Sequence, residues 1–148
     1  MKRMAIRRLF MMGIYLFSYY VASSQSVFGK WKTIDDRTGK PKAVIDIYEK
    51  DGLMHGKIIK ILEEGKEDAL CIKCDGERKD KPIIGMKIID SLKKNTDGEW
   101  KGKTLFDPEQ GMTFRCKIWL NPKNGDELKV RGYLAFLYRT QTWVRVEG

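Results

Sequence analysis

Apolar and polar residues alternate in short segments along most of the chain, and clusters of turn-forming residues separate these segments. In residues 42–49, Ala43, Ile45 and Ile47 fall on one face, and the residues between them fall on the other. Such alternation predicts β-strands, since successive side chains of a strand point to opposite faces of a sheet. Asp51-Gly52 follows at once and predicts a tight hairpin, because primed turns need the positive φ that glycine adopts freely.

Eight strands are predicted in this way. They cover residues 29–35, 42–49, 53–62, 83–94, 99–106, 112–120, 127–137 and 140–146. The fourth segment is ambiguous, because its apolar residues would also line one face of a helix, but Gly85 and the short length favour a strand. Residues 63–82 form the one long irregular connection between predicted strands.

Strands joined mostly by short turns must protect their edges, and a sheet that closes on itself has no edges. We therefore predict an all-β fold, a single up-and-down antiparallel β-barrel of about eight strands. A β-sandwich is the alternative fold. An eight-stranded barrel is just wide enough to be filled by its own side chains or to hold one small ligand.

The N-terminal segment departs from the alternating pattern and predicts a signal peptide at residues 1–24. Four basic residues among the first eight precede an apolar run, Leu9–Val21, and small residues follow at Ala22-Ser23-Ser24. This order is typical of a cleavable export signal, whereas a membrane-spanning helix needs about 20 apolar residues. We expect cleavage before Gln25, a single domain at residues 25–148, a periplasmic or extracellular location and no stable membrane insertion. An uncleaved N-terminal anchor is the alternative.

The formal net charge of +9 includes this predicted signal peptide. Without residues 1–24, the chain keeps 25 basic and 20 acidic residues, which leaves a net charge of +5. The charges are interleaved along the chain and not concentrated beside aromatic residues, so we expect no nucleic-acid partner. A weak attraction to an anionic envelope surface stays open.

The three cysteines suit an oxidising compartment, but their odd number leaves one without a partner in the chain. Cys71 and Cys74 form a Cys-x-x-Cys motif in the long connection, and Cys116 lies on an apolar strand face. We favour a disulfide between Cys71 and Cys74, with Cys116 a buried thiol. Free or regulatory thiols are one alternative, and a zinc site completed by Cys116 and His55 is another.

No group of residues shows the spacing of a known catalytic site. His55 has no serine or cysteine partner at triad spacing, and Asp107, Glu109 and Asp126 are typical turn residues. We therefore expect that the protein is not an enzyme and that it uses neither a cofactor nor a bound metal.

The two ends of the predicted barrel carry matching motifs. Gly29-Lys30-Trp31 opens the first strand, and Trp143-Val144-Arg145 lies near the end of the last. Because these strands are neighbours in a closed barrel, Arg145, or Arg139 if the last strand is shifted, can stack on the indole of Trp31. A Gly-x-Trp paired with a terminal arginine resembles the structural signature of lipocalins and other calycins, which implies a structural role for these residues.

Turn and fold-determining residues carry a second, longer resemblance. They are Gly29-Lys30-Trp31, Gly39, Gly56-Lys57-Ile58, Pro82-Ile83-Ile84-Gly85, Trp100, Gly102, Phe106-Asp107-Pro108, Gly111, Leu128, Val130, Gly132, Trp143 and Arg145. With them, nearly all of residues 28–146 resembles an uncharacterised bacterial family of small exported proteins, domain of unknown function 2147. This resemblance implies an exported, calycin-like barrel and no known activity.

Our functional prediction is a binding protein that holds a small apolar or amphipathic molecule or docks to an envelope component. The candidate ligand-binding residues are inward-facing apolar residues, namely Phe114, Ile118, Leu128, Val130 and Leu134. Bulky inward residues such as Phe114 and Phe136 would fill part of the interior, so a solid barrel that acts through surface residues such as Trp119 and Tyr133 is the main alternative. A redox factor that uses the Cys-x-x-Cys motif is a further alternative. The oligomeric state stays open.

Overall fold

The computed structural model describes residues 25–147, so the predicted signal peptide lies outside the described residues. Eight strands follow one another along the chain. They are β1 (Gly29–Ile34), β2 (Pro41–Lys50), β3 (Leu53–Ile61), β4 (Lys87–Lys94), β5 (Trp100–Asp107), β6 (Met112–Asn121), β7 (Asn124–Leu134) and β8 (Leu137–Arg145). A short 3-10 turn at Gly76–Arg78 is the one helical element in the described range.

The strands form one closed barrel in which each strand pairs antiparallel with the next and β8 pairs with β1. This topology confirms the predicted up-and-down barrel and excludes the sandwich. The seam between β1 and β8 is short, with Trp31 opposite Arg145 and Lys32 opposite Val144. Beyond it, the amide of Val146 donates a hydrogen bond of 2.9 Å to the carbonyl of the β1 residue Lys30.

The two ends of the barrel differ in how they are covered. At the closed end, short turns at residues 51–52, 95–99 and 122–123 join the strands. At the open end, the connections are residues 35–40, 62–86, 108–111 and 135–136. Fully buried side chains fill the closed end, and the largest are Trp31, Ile47, Met54, Leu92, Ile118 and Leu128. The core continues toward the open end through Ile61, Met86, Ile88, Phe106 and the two cysteines of the long connection.

The segment before β1 crosses the closed end and seals it. Trp31 Nε1 donates to the carbonyl of Val27 at 2.9 Å, and the guanidinium of Arg145 donates to the carbonyl of Ser26 at 2.8 Å. The Phe28 ring packs edge-on against Trp100, with 5.5 Å between the ring centroids. This segment has no alternating pattern, so the sequence did not predict its place in the fold.

The long β3–β4 connection folds over the open end and carries the Cys-x-x-Cys motif. The sulfur atoms of Cys71 and Cys74 lie at disulfide distance, with their Cα atoms 5.3 Å apart. The amide of Cys71 donates to the carbonyl of Lys81 at 2.8 Å, and the Arg78 guanidinium lies 4.1 Å from the centre of the Phe106 ring. The connection is thus tied both to itself and to β5.

The last hairpin differs from the sequence prediction. Residues 127–137 were predicted as one strand, but β7 ends at Leu134, and a two-residue turn with Ala135 at φ 52° leads into β8. Phe136, predicted to point inward, is 89% exposed at this turn. No glycine, asparagine or proline marks the turn, so the apolar pattern runs through it, and only the pairing of Leu134 with Leu137 reveals it.

Candidate functional site

The open end of the barrel holds a cavity of about 800 Å³. Its apolar walls come from six strands, β2 to β7, and include Ile45, Ile58, Ile88, Leu105, Phe114 and Val130. The inner end of the cavity is bounded by Trp143, which is buried, and by Gln141 of the same strand. Trp143 Nε1 donates to Gln141 Oε1 at 3.1 Å, so the Gln141 amide is held in the wall at this end of the cavity.

A glycine in β7 leaves room in the cavity wall. Gly132 lies opposite Cys116 of β6 and lines the cavity. A Cβ atom placed on it would lie 3.7 Å from Leu105 and 3.7 Å from Phe114, which is ordinary van der Waals contact. The absence of a side chain at residue 132 therefore keeps part of the cavity open.

Charged pairs surround the mouth of the cavity, which is its opening at the open end of the barrel. Lys42 Nζ lies 2.6 Å from Glu109 Oε2, and Lys66 Nζ lies 3.0 Å from Glu63 Oε1. Asp35 accepts a hydrogen bond from the backbone amide of Arg37 at 2.8 Å, and this bond holds the pKa of the Asp35 carboxyl below its ordinary value. The mouth thus offers fixed charges of both signs next to an apolar interior.

Exposed apolar side chains lie between these charges. Leu70 and Ile72 of the β3–β4 connection and Leu134 and Leu137 of the last hairpin line the cavity, and each is about half exposed or more. Isolated exposed apolar residues are common, but four beside one opening extend the apolar surface of the cavity outward.

The predicted ligand-binding residues do not all lie together. Phe114, Val130 and Leu134 line the cavity, although Leu134 is 52% exposed and stands at the mouth. Ile118 and Leu128 are fully buried at the closed end, where they belong to the packed core. Strand alternation identified the inward face correctly, but it carries no information on which end of the barrel is filled.

The motif residues at the two chain ends meet at the closed end. The guanidinium carbon of Arg145 lies 4.2 Å from the centre of the Trp31 ring, and Trp31 is fully buried. The same guanidinium donates to the carbonyl of Gly125 at 3.0 Å and lies 3.3 Å from Asp126 Oδ1. Gly29 has φ 125°, a conformation that side chains disfavour, and a Cβ there would lie 3.6 Å from Arg145.

A buried histidine away from the cavity is hydrogen-bonded through Nδ1. His55 is 8% exposed, its Nδ1 lies 2.9 Å from Asp90 Oδ1, and its ring stacks on Tyr48. The Ser91 hydroxyl donates to Asp90 at 3.0 Å and not to His55, so these side chains do not form a Ser–His–Asp relay.

Cys116 lies in the barrel wall as a free, buried thiol. Burial raises its pKa to about 12, which keeps the thiol protonated and unreactive at neutral pH. Within residues 25–147, no three or more potential metal-ligating side chains come together, so the zinc set considered above is not assembled.

The closed eight-stranded barrel with one sealed end and one open cavity is a calycin-like, lipocalin-like fold. The chain belongs to the family described as an uncharacterized protein conserved in bacteria (DUF2147), which matches residues 29–145. A similar solved structure is protein HP1028 from Helicobacter pylori, described as belonging to the lipocalin family. It has a TM-score of 0.69 and 16% sequence identity, and the match covers 82% of this chain and 84% of that chain.

The search of curated proteins and the helices of the structure add two findings. No curated protein matches the sequence. In residues 25–147, no helix has the length and apolar character needed to span a membrane.

Proposed function

We propose that the protein is an exported, non-catalytic binding protein that holds one small apolar or amphipathic molecule in the cavity of its barrel. The observation that carries this proposal is the open-ended cavity of about 800 Å³ beside a fully packed closed end. Ligand pockets commonly measure about 300–1,000 Å³, so one small molecule fits. A barrel packed solid along its whole length would leave no such space.

The lining indicates the chemistry of the ligand. Isoleucine, leucine, valine and phenylalanine side chains form the walls, so the part of the ligand that enters must be apolar. The charged pairs at the mouth, such as Lys42 with Glu109, can contact a polar group that stays near solvent. An amphipathic molecule with its apolar part inside and its polar group at the mouth satisfies both regions.

Export is part of the same proposal. The cysteine pair at disulfide distance supports it, since disulfides persist in oxidising compartments such as the periplasm or the extracellular space. The basic, apolar and small-residue order of residues 1–24 supports it independently.

Filling the cavity tests the binding proposal without burying a charge. Gly132→Phe places a ring in the cavity next to Leu105 and Phe114, where a Cβ meets only ordinary contacts. We expect the folded wild-type protein to bind an anilinonaphthalene sulfonate probe saturably, and Gly132→Phe to bind it at least tenfold more weakly in a fluorescence titration. Leu128→Met, which changes the packed end at nearly constant volume, is the matched control and should bind as the wild type does.

Two results would contradict the proposal. One is equal probe binding by Gly132→Phe and wild type while both are folded by circular dichroism. The other is probe binding that begins only as the protein unfolds.

A further inference from the structure

The tip of the last hairpin is the most exposed apolar surface in the described part of the chain. We define the β7–β8 tip as Leu134, Phe136, Leu137 and Tyr138, whose exposed fractions are 52%, 89%, 61% and 62%. The Phe136 ring contributes nothing to the cavity wall, because it stands on the turn itself. An almost fully exposed phenylalanine between two exposed leucines is costly in water and needs an apolar environment to be stabilised.

Basic and aromatic side chains follow the tip on the outer face of the barrel. The Arg115 guanidinium donates to the carbonyl of Ala135 at 3.2 Å, which holds its charge at the turn. The Arg131 guanidinium lies 4.3 Å from the ring of Tyr138 and 5.2 Å from that of Trp119. On this face, cations and aromatic rings therefore lie against one another.

These two arginines are not neutralised by the protein. Among residues 25–147, neither Arg115 nor Arg131 forms an ion pair with a carboxylate. The outer face of β7 carries Glu127, but it lies toward the closed end and is paired with Lys129 at 3.4 Å. Because Arg139 of β8 is paired with Asp36, Arg115 and Arg131 are the charges beside the tip that no carboxylate of the described residues neutralises.

The order of side chains along this face matches the cross-section of a lipid leaflet. Hydrocarbon side chains stand farthest out, at the turn, and Tyr133, Tyr138 and Arg115 share the next level of the paired strands. Arg131 and then Trp119 follow at successive levels further from the turn. Tyrosine and tryptophan favour the headgroup region of a membrane, and arginine is attracted to anionic lipids there.

We propose that the β7–β8 tip, with Arg115 and Arg131, docks the protein to the surface of an anionic phospholipid bilayer, with Phe136 entering the acyl boundary. This proposal does not rest on ligand binding in the cavity. Docking nevertheless has a consequence for ligand entry, because Leu134, Leu137 and Tyr138 also line the cavity. Docking by the tip would turn the mouth toward the bilayer, from which an apolar molecule could enter without crossing water.

Vesicle sedimentation tests the proposal with the exported form of the protein, after its N-terminus has been determined by sequencing. We expect binding to vesicles made of equal parts phosphatidylglycerol and phosphatidylcholine, weaker binding to phosphatidylcholine alone, and weaker binding at high salt. Phe136→Ser should lower the partition coefficient about tenfold or more, and Arg131→Gln about fivefold. Neither change should affect folding, and circular dichroism checks this.

Matched controls lie at the other end of the barrel. Val144→Ser removes an exposed apolar side chain there, and Lys123→Gln removes an exposed charge, so both should bind vesicles within about twofold of wild type. Equal binding of Phe136→Ser and wild type would overturn the proposal, as would no preference for anionic vesicles. Saturable binding to duplex DNA or to an acidic protein, with no vesicle binding, would overturn it in favour of another partner.

Discussion

At the scale of single residues, Trp31 is the residue with a predicted structural role that makes the most contacts of different kinds. It is fully buried, it donates from Nε1 to Val27, and Arg145 covers its ring. Its indole therefore joins the N-terminal segment, the β1–β8 seam and the closed end. The buried area and the hydrogen bond stabilise the barrel together, and the cation–π contact adds about 0.5–2 kcal/mol.

Replacement of Trp31 is expected to be severe. Trp31→Ala should lower the free energy of unfolding by about 3–5 kcal/mol, because a large buried aromatic is lost and a cavity remains. Urea denaturation followed by circular dichroism measures the change. Trp31→Phe retains most of the apolar volume and serves as the comparison, with a smaller loss. A loss under about 1 kcal/mol for Trp31→Ala would show that this end of the barrel repacks without the indole.

Glu99 is a second residue whose surroundings predict a measurable effect. Lys117 Nζ donates to it at 2.8 Å and Asn95 Nδ2 at 3.1 Å, and these bonds lower the pKa of its carboxyl from the ordinary 4.5 to about 2. Because the pKa in the folded state lies below that of the unfolded chain, Glu99 stabilises the fold above pH 4.5. That contribution is lost as the pH falls from about 4.5 to about 2.

The test is the pH dependence of stability. Melting temperatures of wild type should fall with pH across this window, and Glu99→Gln should show a shallower fall together with a lower melting temperature at neutral pH. Asp97→Asn, in the same turn, is the control for removal of a negative charge. If the melting temperatures of wild type and Glu99→Gln fall with the same slope as the pH is lowered, the Lys117–Glu99 pair does not contribute to the pH dependence of stability.

At the scale of elements, the β3–β4 connection shows how an irregular segment becomes a wall of the site. It has no alternation, yet backbone bonds such as Cys71 to Lys81 and the bridge between Leu70 and Pro82 organise it. Ile72 and Lys73, which lie between the two cysteines, line the cavity. The cysteine pair thus constrains the part of the connection that faces the ligand space.

Removing the cysteine pair should affect this connection first. The double variant Cys71→Ser, Cys74→Ser is expected to lose about 2 kcal/mol of stability, the chain-entropy value for so short a loop. Limited proteolysis should then cut within residues 62–86 before any strand, whereas Cys116→Ala keeps the connection resistant. Non-reducing peptide mapping that finds Cys116 in a bridge would contradict this account.

At the scale of the whole molecule, the barrel is closed by the pairing of β1 with β8, which is the shortest of its strand pairings. The β1–β8 pairing has two register positions, whereas β6 and β7 pair at seven, from Arg115–Tyr133 to Asn121–Asn124. The open end beyond the β1–β8 positions is also where the cavity lies. Local opening of the barrel is therefore expected at this seam, because the fewest hydrogen bonds must break there.

Hydrogen exchange tests this expectation. Amides that bridge β1 and β8 should exchange faster than those that bridge β6 and β7. Equal protection of the two seams would show that the barrel opens only by global unfolding.

The alternating pattern by itself determined the number of strands, their up-and-down order and most of the inward face, because strand periodicity and short turns are local properties. It also predicted that Trp31 meets Arg145 or Arg139, since closure makes the first and last strands neighbours, and the observed register selected Arg145. The tertiary structure alone decided that Ile118 and Leu128 belong to a packed end while Phe114 and Val130 line a cavity. It likewise placed Phe136 outside, because a turn without glycine or proline is visible only in the pairing of its strands. Filled and empty space inside a barrel depend on which side chains meet across it, and no local pattern records those contacts.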